Sequence, residues 1–179
     1  MRQTFIASIL YLILCNTAVG QRTVNNFEIE GGTIWRKVFE TNITFEQLTE
    51  KIKDSGLFKN MEISESKVTG DIKQLVADYK GSGFSRGLTP IYVLGSYFKG
   101  FSIIEFKEGK YRVTLKNIVL VQMRSDPLGE KGEETNLDTY ALKSSKDEFK
   151  AAFMKAPSLI LNHTFENKFS FKNNEKEDW

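Results

Sequence analysis

The stretch "FSIIEFKEGKYRVTLK", Phe101 to Lys116, constrains the fold more than any other part of the chain. It alternates apolar and polar residues on both sides of Glu108-Gly109, and glycine can take the positive φ that a two-residue hairpin connector needs. Setting the turn there sets the register. Lys107 faces Lys110 and Phe106 faces Tyr111, followed by Ile104 with Val113 and Ser102 with Leu115. Side chains alternate across a strand, so Glu105 with Arg112, Ile103 with Thr114, and Phe101 with Lys116 share the opposite face. The pairs around Ile104 and Val113 belong to the core. Phe101, Ile103, Arg112, Thr114 and Lys116 form a candidate outward binding face. Opposite charges directly across a ladder stabilise it by roughly 0.2–1 kcal/mol, so Glu105 and Arg112 support this register.

One helix is specified almost as well. Thr44 and Gln47 form a capping box, and Ile43 with Leu48 occupy the two positions of a hydrophobic staple. Phe45, Leu48 and Ile52 then line one apolar face, and Gly56 suits a left-handed stop. A strand over Thr33–Glu40 precedes this helix, and "LFKNMEISESKVTGDIKQLVADY" reads as two strands about a polar turn. "RSDPLGEKGEETNLD" reads as a mobile connection. Ser145 and Glu148 repeat the capping pattern, and Phe149, Ala152, Phe153 and Ala156 share a helical face. A second helix is therefore expected over Lys146–Ala156, with Pro157 ending it. "SLILNHTFENKFSF" suits a helix or a strand.

The first 20 residues read as an export signal: Arg2, the apolar "FIASILYLILC", then small residues at Ala18 and Gly20. Cleavage after Gly20 is expected, placing the protein in the periplasm or outside the cell. Lipidation at Cys15 is the minor alternative and the one route to membrane association. Cleavage leaves 24 basic against 23 acidic residues and removes the single cysteine. Such a neutral chain lacks the basic footprint of a nucleic-acid binder. A disulfide-free domain of this length suits the bacterial envelope. Two Asn-x-Thr triplets, at Asn42 and Asn162, would matter only in a eukaryotic secretory pathway. The expected division is a signal peptide (1–20), an N-terminal extension (21–32), a single α+β domain (33–165) and a charged tail (166–179).

The order of these elements, and "EGKYRVTLKNI" above all, is similar to an exported Bacteroidetes domain family of unknown function with a TATA-binding-protein-like (TBP-like) fold. The resemblance spans roughly Ile34 to Leu120. Two departures are the absence of a Trp late in the first helix and the Gly-rich loop near Gly81–Gly87. It implies an α+β fold with a largely antiparallel sheet and helices on one face. It carries over no catalytic residue, and fold alone does not imply DNA binding.

The residue inventory excludes several chemistries. Without cysteine, and with His163 as the only histidine, neither a thiol nucleophile nor a histidine-rich zinc site can be assembled. His163 lies near the C-terminus, in a segment without a Gly-x-Ser-x-Gly elbow. Asp126, Glu130, Glu133, Glu134 and Asp138 do not follow EF-hand spacing. "GSGFSRG", Gly81–Gly87, lacks both phosphate-loop spacing and a following helix. No catalytic residue, cofactor or metal site is therefore assigned. Trp35, Tyr92, Tyr97, Phe98 and Phe101 fit either core packing or an aromatic groove. The expected function is a non-catalytic binding or interaction module for an envelope protein, a glycan or a lipid-like ligand. The alternative class is a carboxylate-dependent hydrolase acting on glycans, which requires two acids facing each other across a cleft.

Overall fold

The computed structural model describes residues 22–125 and 129–171. The expected export signal (1–20) with Cys15, Asp126 and the end of the tail (172–179) lie outside them. Eight strands make one antiparallel sheet: β1 (Thr23–Val24), β2 (Phe27–Ile29), β3 (Thr33–Glu40), β4 (Phe58–Ser64), β5 (Lys67–Val76), β6 (Ser96–Lys107), β7 (Lys110–Gln122) and β8 (Glu134–Asn136). The order is β1-β2-β3-β7-β6-β5-β4, with β8 also on β7. The helices are α1 (Phe45–Asp54), α2 (Ile91–Leu94), α3 (Asp138–Ala141) and α4 (Ala156–Phe169). The class is α+β, as expected.

The hairpin has the register read from its turn. Phe106 pairs with Tyr111, Ile104 with Val113, Glu105 with Arg112, Ile103 with Thr114 and Phe101 with Lys116. Both of its strands extend further than the alternation alone suggests, because a register shift between Lys99 and Phe101 lets pairing resume up to Ser96 and Gln122. At this bulge a Cβ on Gly100 would lie 2.9 Å from a Leu115 methyl and 3.0 Å from the Lys116 carbonyl. A residue without a side chain is what lets the two strands close there.

The α1 cap is also as read. Thr44 Oγ1 accepts from the Gln47 N–H at 3.3 Å, and Gln47 Oε1 accepts from the Thr44 N–H at 2.9 Å. Leu48 and Ile52 are fully buried. Phe45 packs against Phe106 with ring centroids 5.8 Å apart. α4 lies on the same side of the sheet. Its Phe165 contacts Phe27, Trp35 and Phe98, and its Phe169 stacks on Trp35 at 5.8 Å. Each such ring removed from water contributes roughly 1.5–3 kcal/mol. The opposite sheet face is left to solvent by both long helices, an arrangement that antiparallel sheets tolerate.

Three expectations are corrected. The second helix does not cover Lys146–Ala156; it begins at Ala156, and Pro157 opens it instead of ending it. Proline fits a first turn, where its missing N–H is no loss. Upstream, Glu148 pairs with Lys143 instead of closing a box with Ser145, Lys146 takes φ 59°, and Leu142 bridges Phe149. Phe149 and Phe153 are nevertheless core residues. Second, the domain boundaries move outward at both ends. The 21–32 segment supplies β1 and β2, with Phe27 fully buried, and α4 runs through the boundary at 165 to bury Phe169. Third, the 125–138 connection contributes β8, paired to Val119–Val121 of β7.

Candidate functional site

Two surfaces merit description: the open sheet face foreseen from the hairpin, and a groove at its bulged end. On the open face, Phe101 is 36 % exposed and Ile103 half-buried, beside exposed Arg112 and half-buried Lys116. The strand pairing gathers all five foreseen residues there. Thr114, however, is buried at 4 % exposure, because Arg36 from the neighbouring strand lies over it with Nε 3.4 Å from the hydroxyl. The sequence reading had not paired β3 with β7 and so missed Arg36.

The charges of this face are largely matched. Arg36 donates to Glu28 at 2.6 Å and to Glu30 at 2.5 Å. The Arg36 guanidinium, through that hydrogen bond, holds the Glu30 carboxyl below the usual carboxylate range, and Glu30 in turn raises Arg36. Arg112 makes two bonds to Glu105, at 3.0 and 2.7 Å, and Lys116 lies 4.0 Å from Glu30. The face therefore has an apolar centre with a rim of ion pairs. It is not the basic strip that Arg112 and Lys116 suggest when read alone.

The second surface was not read from the sequence. β5 shifts register between Ile72 and Leu75, close to Gly100 of β6, where the β6–β7 pairing also shifts because β7 carries an extra residue between Lys116 and Val119. A groove of about 820 Å³ opens there. Its lining comes from the end of α1 (Ser55), from β5 (Lys73, Gln74, Val76), from β6 (Tyr97, Lys99) and from Lys59 and Lys168. Four lysines line it, and among the described residues no aspartate or glutamate does. Lys99 bonds Glu134 at 2.5 Å, which raises its pKa. Lys59, Lys73 and Lys168 have no carboxylate within 4.0 Å among the described residues. These four lysines come from four different elements, so no local pattern announces them.

The fold and both surfaces can now be set beside known proteins. The chain is similar in structure to a TBP-like protein from Parabacteroides distasonis: 17% identity, TM-score 0.48, covering 78% of this chain and 89% of that one. It is also similar to a DUF4468 family protein from Bacteroides ovatus: 13% identity, TM-score 0.42, covering 80% of this chain and 89% of that one. No family model matches the chain, and no curated protein matches it. Both neighbours come from Bacteroidetes, and one is TBP-like by name. Neither neighbour's name states an activity.

The remaining candidates have structural partners. His163 Nε2 lies 2.9 Å from Asn167 Nδ2 and 3.7 Å from Asp78. The Gly81–Gly87 loop starts from Asp78, whose N–H donates to Thr164 on α4 at 2.9 Å. Of the acidic connection, Glu134 holds Lys99 and Asp138 accepts from the Thr33 N–H at 2.7 Å. Asn162, of the second triplet, accepts from Trp35 Nε1 at 2.9 Å and from Asn26 at 2.8 Å. Trp35 and Phe98 are core, Tyr92 stacks on Tyr140 at 4.1 Å, and Tyr97 lines the groove. Among the described residues no three His, Asp or Glu side chains cluster as a metal site, and no helix is long and apolar enough to cross a membrane.

Proposed function

We propose that this protein is an exported, non-catalytic interaction module of the cell envelope, and that its open sheet face is the contact surface for a protein partner. The observation that carries this is the exposed Phe101 beside Ile103, on a face that neither α1 nor α4 covers and that ion pairs surround. Interfaces combine an apolar centre with a polar rim, and a few aromatic and Arg residues hold most of their energy. Phe101 is the anchor. Arg112 and Lys116, already paired, form the rim and set orientation more than affinity. The groove favours binding over carboxylate hydrolysis, because its described lining holds no acid that could serve as proton donor or base.

The test is a pull-down from envelope extracts with wild type and a folded Phe101→Ala, Arg112→Ala double variant. Loss of a partner from the variant supports the face as the contact surface. Recovery of the same partners at the same yield removes it. Mass spectrometry of the exported product checks destination, with Gln21 as the expected first residue. A diacylglycerol-modified Cys15 would replace the soluble form with a membrane-anchored one.

A further inference from the structure

We infer that the bulge groove is a second binding site, independent of the open face, and that its ligand is an acidic oligosaccharide. The shape comes first. At about 820 Å³ the groove falls within the size range of ligand sites, and it lies where the β5–β6 and β6–β7 pairings both shift register around Gly100. The charge comes second. Lys59, Lys73, Lys99 and Lys168 all line it, with no carboxylate among its described lining residues. Arg36, Lys37, Arg112 and Lys143 each sit on a glutamate. Lys59, Lys73 and Lys168 have no carboxylate within 4.0 Å among the described residues, whereas Lys99 is held by Glu134. Three ammonium ions without such a partner in a concave surface raise the local concentration of anions.

The lining also selects among anions. Ile72 and Leu75 contribute to the floor but are only 1 % and 2 % exposed, so there is no apolar tunnel for an acyl chain. Tyr97 offers a half-buried ring, and Val76, 56 % exposed, lies opposite it in the strand pairing. Such a wall suits the apolar side of a sugar ring. Gln74 and Ser55 supply polar atoms for hydroxyl groups. A chain of acidic sugars places carboxylates at intervals along such a wall, opposite Lys59, Lys73 and Lys168 from three separate elements. Lysine serves here as a mobile point charge, tolerant of the ligand's exact register.

The experiment measures binding of a galacturonic acid hexamer to the mature protein by calorimetry. Neutral maltohexaose, a hexaglutamate peptide and phosphatidylglycerol vesicles are run in parallel. The expected result is binding of the acidic sugar that weakens steeply as salt rises and the charges are screened. Maltohexaose does not bind, and the peptide and vesicles bind more weakly. The triple variant Lys59→Gln, Lys73→Gln, Lys168→Gln loses affinity by about tenfold or more. Val76→Glu, which places an acid in the groove at an exposed position, does the same without removing a lysine. Retention of affinity in both folded variants overturns the proposal, as does equal binding of the neutral sugar. So does tighter binding of the peptide or the vesicles, or the absence of binding by the acidic hexamer. The Phe101→Ala, Arg112→Ala protein should bind the hexamer as wild type does, so failure of either site is read separately.

Discussion

Tyr111, in the middle of the sheet, donates its hydroxyl hydrogen to the carbonyl of Phe169, 2.9 Å away at the end of α4. The same oxygen accepts from the N–H of Phe171, also at 2.9 Å. The phenol thus replaces, for the last turn of the helix, the partners that a helix terminus loses. It also ties the C-terminal segment to the hairpin strand that organises the sheet. Residues 166–171 are part of the domain for this reason.

Tyr111→Phe should therefore cost about 0.5–1.5 kcal/mol, since it removes both phenol hydrogen bonds but leaves the Phe171 N–H on the Phe169 carbonyl at 3.2 Å. Burial pushes the Tyr111 hydroxyl up to about 12, partly offset by the Phe171 N–H, and burial also raises Tyr92. A pKa raised on folding means that the native state holds its proton more tightly. The associated stability is complete below pH about 10, the ordinary tyrosine value, and is lost as pH rises through the folded values. Urea denaturation against pH should show stability falling above about pH 10, and less steeply in Tyr111→Phe. A flat profile in wild type would contradict this.

Leu48→Ala should destabilise by about 2–5 kcal/mol, because Leu48 is fully buried and its removal leaves a cavity under α1. Chemical denaturation measures this. A loss under about 0.5 kcal/mol would place the apolar face of α1 elsewhere.

Gly100→Ala should cost about 1–3 kcal/mol by overpacking. The new Cβ would meet the Lys116 carbonyl, a backbone atom with little freedom to retreat. The same variant should weaken binding at the groove, which is built on this bulge. An alanine protein as stable as wild type would show that the strands part there without strain.

Asn162→Ala should cost about 1–3 kcal/mol, since the buried Trp35 indole N–H then loses its acceptor. Trp35 fluorescence during unfolding reports the shift. The engaged amide of Asn162 also makes this triplet a poor glycosylation acceptor, so expression in a eukaryotic secretory host should leave it unmodified. A glycan found there by mass spectrometry would refute that statement.

Features that depend on near neighbours were legible in the chain alone. The Glu108-Gly109 connector brings Phe106 to Tyr111 and each later pair into line, because one turn sets the register of everything beyond it. The Thr44 and Gln47 box started α1 because its bonds close within four residues. Tertiary structure decided what depends on distant partners. Phe149 and Phe153 have helical spacing, yet the segment bends back so that Leu142 can bridge Phe149, and Phe153 meets Phe27 at 5.2 Å. Burying these rings against the sheet outweighs a weak local helix preference. The groove lysines at 59, 73, 99 and 168 are ordinary surface residues in the sequence. They become neighbours only through the register shifts around Gly100 and the return of α4, because proximity across the chain is created by long-range packing and leaves no periodic trace.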